Sequence, residues 1–379
     1  MTLRVGKLVY GMIRLLPCLL AVLLASSCSS DVNSDEQTGN KTLVTLTIAA
    51  SGNAATASRA VSGNSSTITR ASASVSDPTN KDYYISDLTV LIFDESGDVI
   101  GSTTKQASDL SIADGKITIK VLTRAAQNCT VYAIANALAL NDGATPFAGV
   151  ATLSALKSMV KTYTYADDIN KETCLLMMGK TADKSFDTTN SGSAAAISLQ
   201  RLASKIDFKF TVNDDQTTGF PIVVDSYQLC NVPASTLYQQ SDFTNPSMPP
   251  RSASTSKYQS QGSITSSTAG TKKTYTCYVY TNTDTDASHK TYLLINAHSA
   301  VTGSDGRTTY KVWNSVFRVN MPDIVKPNMH YTVNITIKGS ANTSGVGGVI
   351  TTYNAYPYFS GSILKPWQPE ETDRNLDLQ

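Results

Sequence analysis

The sequence predicts a mostly β fold, arranged as two β-sandwich domains with few short helices. Three observations predict it: apolar and polar residues alternate with period 2 in run after run, one segment alone reads convincingly as a helix, and the chain is rich in Ser, Thr and Asn at low charge. Charged residues make up 16% against 41% apolar, below the roughly 25% charged of an average soluble domain. A chain of 379 residues, with an N-terminal leader set aside, holds two domains at roughly 150 residues each. A single small disulfide-stapled module is excluded.

Taken in order, Thr42 to Ala50 sets Val44, Leu46 and Ile48 on one face and Thr45 and Thr47 on the other, a half-buried strand. Ile85 to Phe93 is a second strand, stopped by the turn cluster Asp94-Glu95-Ser96-Gly97. Lys116 to Val121 alternates again, and Cys129 to Asn136 is mostly apolar, as in a strand covered on both faces. Ala151 to Val160 is the expected helix, with Leu153, Leu156 and Val160 at helical spacing. A Ser/Gly/Thr/Asn-rich stretch at Asp187 to Ala195 leads into Ile197 to Phe210, where two strand patterns meet near Arg201. The domain boundary is expected there, giving residues 41–200 and 201–379. Further strands are expected at Ile222 to Leu229, Thr274 to Tyr280, Thr291 to Ala297, Lys311 to Val319 and Tyr331 to Ile337. The loop Gln239 to Thr268 holds Pro246, Pro249 and Pro250, which cannot continue a strand ladder.

Arg4, Lys7 and Arg14 precede an apolar run from Leu15 to Ala25, too short to span a bilayer core of about 30 Å. It reads as a secretory signal, residues 1–27. Its end, Leu24-Ala25-Ser26-Ser27-Cys28, is similar to a relaxed bacterial lipobox, which implies lipid on Cys28 and a polar tether over 28–40. Of the four cysteines in the body, Cys129 and Cys277 lie in apolar strand patterns and read as small buried hydrophobes. With Cys174 and Cys230 they allow three disulfide pairings, none of which spacing selects.

Local catalytic motifs are missing. Gly97 and Gly101 are the only glycines four apart with the spacing of a nucleophile elbow, and Val99 stands where the serine belongs. No Gly-Lys pair follows another glycine at phosphate-loop spacing, and His289, His298 and His330 are too far apart for a zincin helix. Asn282-Thr283-Asp284-Thr285-Asp286 begins like a calcium loop but has Ala287 in place of the turn glycine and Leu293 in place of the bidentate Glu, so a solvated hairpin loop is expected. With 31 Lys and Arg against 30 Asp and Glu, and no basic cluster in the sequence, nucleic acid is not an expected partner. Neither an enzyme, a cofactor nor a metal is expected.

Several segments together resemble the fimbrillin family, the protease-assisted type V pilins of Bacteroidia. They are Val44-Thr45-Leu46-Thr47-Ile48, the basic site Ser58-Arg59-Ala60, Leu88-Thr89-Val90-Leu91-Ile92-Phe93-Asp94, Tyr132-Ala133-Ile134-Ala135-Asn136, Arg201-Leu202-Ala203-Ser204-Lys205-Ile206-Asp207-Phe208, and the block from Lys326-Pro327-Asn328-Met329-His330 to Lys338-Gly339. The resemblance implies transthyretin-like, Greek-key sandwiches and a fimbrial subunit that supports adhesion. It implies a precursor held in the outer membrane by lipid on Cys28, cut by an arginine-specific protease, and then built into an extracellular fimbrium with copies of itself and related subunits. The strand removed, 41–59, would carry Val44, Leu46 and Ile48, with the cut after Arg59 (before Ala60) or after Arg70 (before Ala71). A donor segment, 349–368, would refill the groove, with Phe359, Ile363 and Trp367 on one alternating face and Tyr356, Tyr358 and Leu364 on the other. The acidic, polar end, Gln368 to Gln379, reads as disordered. The alternative is a monomeric glycan-binding surface lipoprotein, in which exposed aromatics such as Trp313 or Trp367 stack on sugar rings.

Overall fold

The computed structural model describes residues 41–50, 75–113, 116–187, 195–215, 218–250, 264–265, 271–307, 309–321, 324–340 and 349–357. Its first half contains β1 (Lys41–Ala50), β2 (Asp87–Phe93), β3 (Val99–Gln106), β4 (Ser111–Ala113), β5 (Lys116–Arg124), β6 (Ala126–Ala135), α1 (Leu153–Ser158), β7 (Val160–Thr162), α2 (Asp168–Lys171), β8 (Met177–Phe186) and β9 (Ala195–Arg201). All but β7 join one eight-stranded sheet in the order β1-β9-β8-β6-β2-β3-β5-β4. Because β1 also pairs with β5, this sheet closes on itself. The first expected sandwich is therefore a barrel, and β1 is the strand that shuts it.

The local sequence explains these strands. β5 buries every second residue, Ile117, Ile119, Val121 and Thr123, and exposes the rest, the period-2 pattern of a one-sided strand. β2 is buried at all seven positions. Its Val90 and Ile92 enter the barrel core with Val131 and Ala133 of β6, whereas Leu91 and Phe93 join Tyr132, Ile134 and Leu156 in a second cluster outside the barrel. Covering on both faces is why β2 and β6 read as continuous apolar runs. α1 starts where the Thr152 side chain accepts the Ala155 N–H at 3.2 Å. It is shorter than the spacing suggests, because Val160 leaves the helical face to pair with Leu237.

The second half contains β10 (Ala203–Val212), β11 (Ile222–Cys230), β12 (Ser235–Leu237), β13 (Ile264–Thr265), β14 (Thr271–Tyr280), β15 (Tyr292–Thr302), β16 (Thr309–Asn320), β17 (Met329–Ile337) and β18 (Val349–Pro357). Two four-stranded sheets, β14-β10-β17-β18 and β13-β11-β15-β16, share one apolar core. Ile206, Phe208, Phe210, Val333 and Ile335 from the first meet Val224, Leu229, Leu293, Ile295 and Phe317 from the second, the packing of a β-sandwich. The two strand patterns meeting near Arg201 resolve as β9 and β10, separated by Leu202 alone. Six described non-glycine residues have positive φ, namely Asn128, Asn136, Asp142, Asp183, Asn231 and Asn328. All are Asn or Asp, the types that best tolerate the left-handed region.

Candidate functional site

β1 is the best-defined candidate. It runs antiparallel to β5, from Lys41 opposite Arg124 to Ala49 opposite Lys116, and parallel to β9, from Leu46 opposite Ala195 to Ala50 opposite Leu199. Val44, Leu46 and Ile48 point into the barrel and are 2%, 0% and 0% exposed. There they face Val121, Ile119 and Ile117 in turn. The three side chains are worth on the order of 5–9 kcal/mol at about 1.5–3 kcal/mol each. Without β1, the chain would keep two strand edges, β5 and β9, flanking an apolar slot that faces the same core. Such an edge pair is a template for one incoming strand, since ladder bonds give affinity and alternate side chains set register.

The rest of the barrel is closed by close backbone approach. β3 and β5 pair at one point, Gly101 opposite Thr123, where a Cβ on Gly101 would lie 2.7 Å from Thr123 Cβ and 2.9 Å from the Leu122 carbonyl oxygen. We expect Gly101→Val to lower stability by about 2 kcal/mol or more through overpacking, measured as a lower urea midpoint, with Ser102→Val, at an exposed neighbour, as the unaffected control.

A polar cluster ties the segment after residue 74 to the junction between barrel and sandwich. Val75 and Ile85 are buried in the barrel core. Between them, the Asp82 carboxylate pairs with Lys205 Nζ at 3.0 Å and accepts the Tyr278 hydroxyl at 2.5 Å, and its backbone carbonyl accepts Arg201 Nε–H at 2.5 Å. Arg201 is 2% exposed, stacks its guanidinium 5.0 Å from the Tyr83 ring and donates its backbone N–H to Asn328 Oδ1 at 3.1 Å. Asn328 in turn donates its N–H to the Ala203 carbonyl at 2.9 Å. The Lys-Pro-Asn-Met-His block is thus a clamp on the β9–β10 corner.

Lys81, in the same segment, donates to the Ile169 carbonyl. Burial pushes its ammonium down to about 8, against the opposing pull of Glu172, Cys174 and Asp82. Because the folded chain then holds fewer protons than the unfolded chain between about pH 8 and the ordinary lysine value, the Lys81 contribution to stability rises with pH across that window. Wild type should therefore gain stability relative to Lys81→Met between pH 7 and 10, measured as the difference of two thermal midpoints. A constant difference would contradict the burial argument.

Cys28, Arg59, Ala60, Arg70, Ala71, Tyr358, Phe359, Ile363, Leu364 and Trp367 lie outside the described residues. Tyr356 is placed opposite His330, because residues 349–357 of the donor segment form β18, antiparallel to β17 at an edge of their own sheet. Trp313 is not an exposed sugar platform. It is half-buried against the sandwich core, donates Nε1–H to Asp215 Oδ2 at 2.5 Å and meets Phe317 edge to face. In the calcium-like loop, Asp284 and Asp286 carboxylates accept the Asp286 and Ser288 backbone N–H groups, and Asp284 also pairs with His289 at 2.8 Å. The loop thus ties its carboxylates to its own backbone, as a hairpin loop does. Cys129, Cys174, Cys230 and Cys277 are buried and form no disulfide among the described residues, and burial pushes the Cys129 and Cys174 thiols up to about 11 and about 12, which disfavours the reactive thiolate. Among the described residues no group of three or more His, Cys, Asp or Glu is placed to hold a metal ion.

This arrangement defines a class: a two-part β protein whose N-terminal barrel is shut by its own first strand. Residues 42–222 match the family described as major fimbrial subunit protein (FimA). No curated protein sequence matches it significantly. Among solved structures, a candidate cell adhesion protein from Parabacteroides distasonis aligns with TM-score 0.54 at 15% identity, over 86% of this chain and 99% of that one. A second from the same species gives TM-score 0.54 at 12% identity, over 84% and 100%. One from Bacteroides eggerthii gives TM-score 0.51 at 18% identity, over 84% and 96%. At these identities the likeness is one of fold.

Proposed function

We propose that the chain is a non-enzymatic structural subunit of a cell-surface fimbrium, made as a precursor anchored through lipid on Cys28 and polymerised by strand exchange. Its two domains are residues 41–200 and 201–379. An arginine-specific protease cuts after Arg59 or Arg70, β1 leaves with residues 41–59, and the slot between β5 and β9 takes the donor segment of another copy. The observation that carries this reading is the placement of β1, which shuts the barrel and is joined to the rest of the chain by a stretch, residues 51–74, that holds both arginines. Release of β1 exposes the slot without breaking any other strand pairing in the barrel. The donor face of Phe359, Ile363 and Trp367, with Tyr358 and Leu364 opposite, supplies side chains large enough to refill it, and Tyr356 joins them once β18 leaves β17. Assembled subunits then support adhesion to a host or bacterial ligand.

Limited digestion with an arginine-specific protease, followed by intact mass, tests the processing step. One early cut after Arg59 or Arg70, abolished in Arg59→Gln/Arg70→Gln, is expected. A first cut elsewhere, with 41–59 retained, would overturn the processing scheme.

A further inference from the structure

The outer face of the barrel beside the slot carries an unbalanced charge. Four neighbouring strands, β4, β5, β1 and β9, contain no Asp or Glu at all. They present Lys41, Lys116 and Lys120 outward, all exposed, and none of the three side chains makes an ion pair or hydrogen bond among the described residues. Arg124, also exposed, is committed to Asp94 at 3.0 Å. Between these cations lies an apolar pair, Leu43 on β1 directly opposite Leu122 on β5, 46% and 54% exposed. The pair offers a small apolar contact at the centre of a basic sheet face, a setting suited to a segment that carries both carboxylates and apolar side chains.

The chain holds a segment of matching chemistry. Residues 368–379, Gln-Pro-Glu-Glu-Thr-Asp-Arg-Asn-Leu-Asp-Leu-Gln, carry four carboxylates, Glu370, Glu371, Asp373 and Asp377, against one cation, Arg374, and two leucines, Leu376 and Leu378. This segment directly follows the donor segment. Extended, its twelve residues span about 40 Å, enough to turn back over the roughly 30 Å of β5.

Resting on the fimbrial reading for its second copy, we propose that the outer face of β5, with Lys116, Lys120 and Leu122, docks the acidic segment 368–379 of the neighbouring subunit whose donor strand fills the slot. The slot then reads the donor from inside the barrel and the lysine face holds its continuation outside. Loss of β1 removes Lys41 and Leu43 but leaves the three β5 residues in place, so the site survives processing. Opposite charge steers the tail to the correct edge before the slower ladder forms, an ionic-strength-dependent effect on association rate.

The test uses the full chain with Glu370→Lys/Glu371→Lys in its own tail, so that the face is not self-occupied, and a labelled wild-type peptide 368–379 as probe. Saturable binding is expected, weakened roughly tenfold between about 50 and 500 mM salt, and lost when Lys116→Glu/Lys120→Glu is added. In polymers, either charge reversal alone should speed dissociation about tenfold or more, and combining the two should restore most of the loss by re-pairing opposite charges. Absence of peptide binding, or binding indifferent to both lysines, overturns the proposal. Binding of anionic phosphatidylglycerol vesicles through Lys116 and Lys120 without binding of the peptide makes the face a membrane contact and also overturns it. If the cut wild-type chain polymerises while the peptide does not bind, this docking fails and the fimbrial reading stands. If the peptide binds but the cut chain stays monomeric, the fimbrial reading fails, and with it the role given to a second copy.

Discussion

Replacing Leu46 by Ala should cost the uncut chain about 2–5 kcal/mol and leave the assembled polymer unchanged. Leu46 is fully buried and faces Ile119 across the β1–β5 ladder, so the truncation leaves a cavity in the barrel core. For a domain of this size the loss appears as a fall of roughly 5–15 °C in thermal midpoint. If β1 departs before assembly, the same substitution is absent from the mature filament, and polymer built from the Leu46→Ala precursor should dissociate at the wild-type rate. Ile119→Ala is the matched control. It sits on β5, which stays, and should weaken both precursor and polymer. Equal loss of polymer stability from Leu46→Ala and Ile119→Ala would mean that β1 is retained.

Arg201→Ala should destabilise the precursor by about 2–4 kcal/mol, because it leaves the Asp82 carbonyl without its donor and empties the space over the Tyr83 ring. The guanidinium is almost wholly enclosed, and its Nε–H satisfies the Asp82 carbonyl while its plane covers Tyr83. Arg201→Lys should recover only part of the loss, because an ammonium reproduces neither the planar fork nor the stacking. The cluster joins barrel to sandwich, so urea unfolding is expected to be one transition in wild type and to split into two in Arg201→Ala. A single transition with an unchanged midpoint would show that the cluster carries no coupling.

Much of the fold is visible in the sequence where one face is buried and the other wet. Val44, Leu46 and Ile48, the alternation of β5, and the Ile206, Phe208 and Phe210 series of β10 can each be read directly. So can the corner at Arg201, since two period-2 patterns cannot share one register across it. β3 and β8 are less legible because their polar residues, such as Thr103, Thr104 and Lys105 or Lys180, Asp183 and Lys184, interrupt the alternation. β7 and β12 are three residues each, too short for a period. Closure of the barrel is invisible locally, because it depends on β1 meeting β5 and β9, which are about 70 and 150 residues further along. The same holds for the junction cluster: Arg201 and Asn328 stand in recognisable blocks, but Asp82 and Tyr278 join them only through the fold. The basic face of β5 shows in sequence as Lys116, Lys120 and Arg124 on the exposed alternate positions, yet only the fold shows that the neighbouring strands β4, β1 and β9 also hold no Asp or Glu.

The most direct test of strand exchange is the native mass of the lipid-free precursor, residues 29–379, before and after the arginine-specific cut, with and without residues 358–379. Strand exchange requires a monomer before the cut, a ladder of high-mass species after it once residues 41–59 have gone, and no such ladder when the tail is removed. A cut chain that loses residues 41–59 and remains monomeric with its tail intact would contradict it.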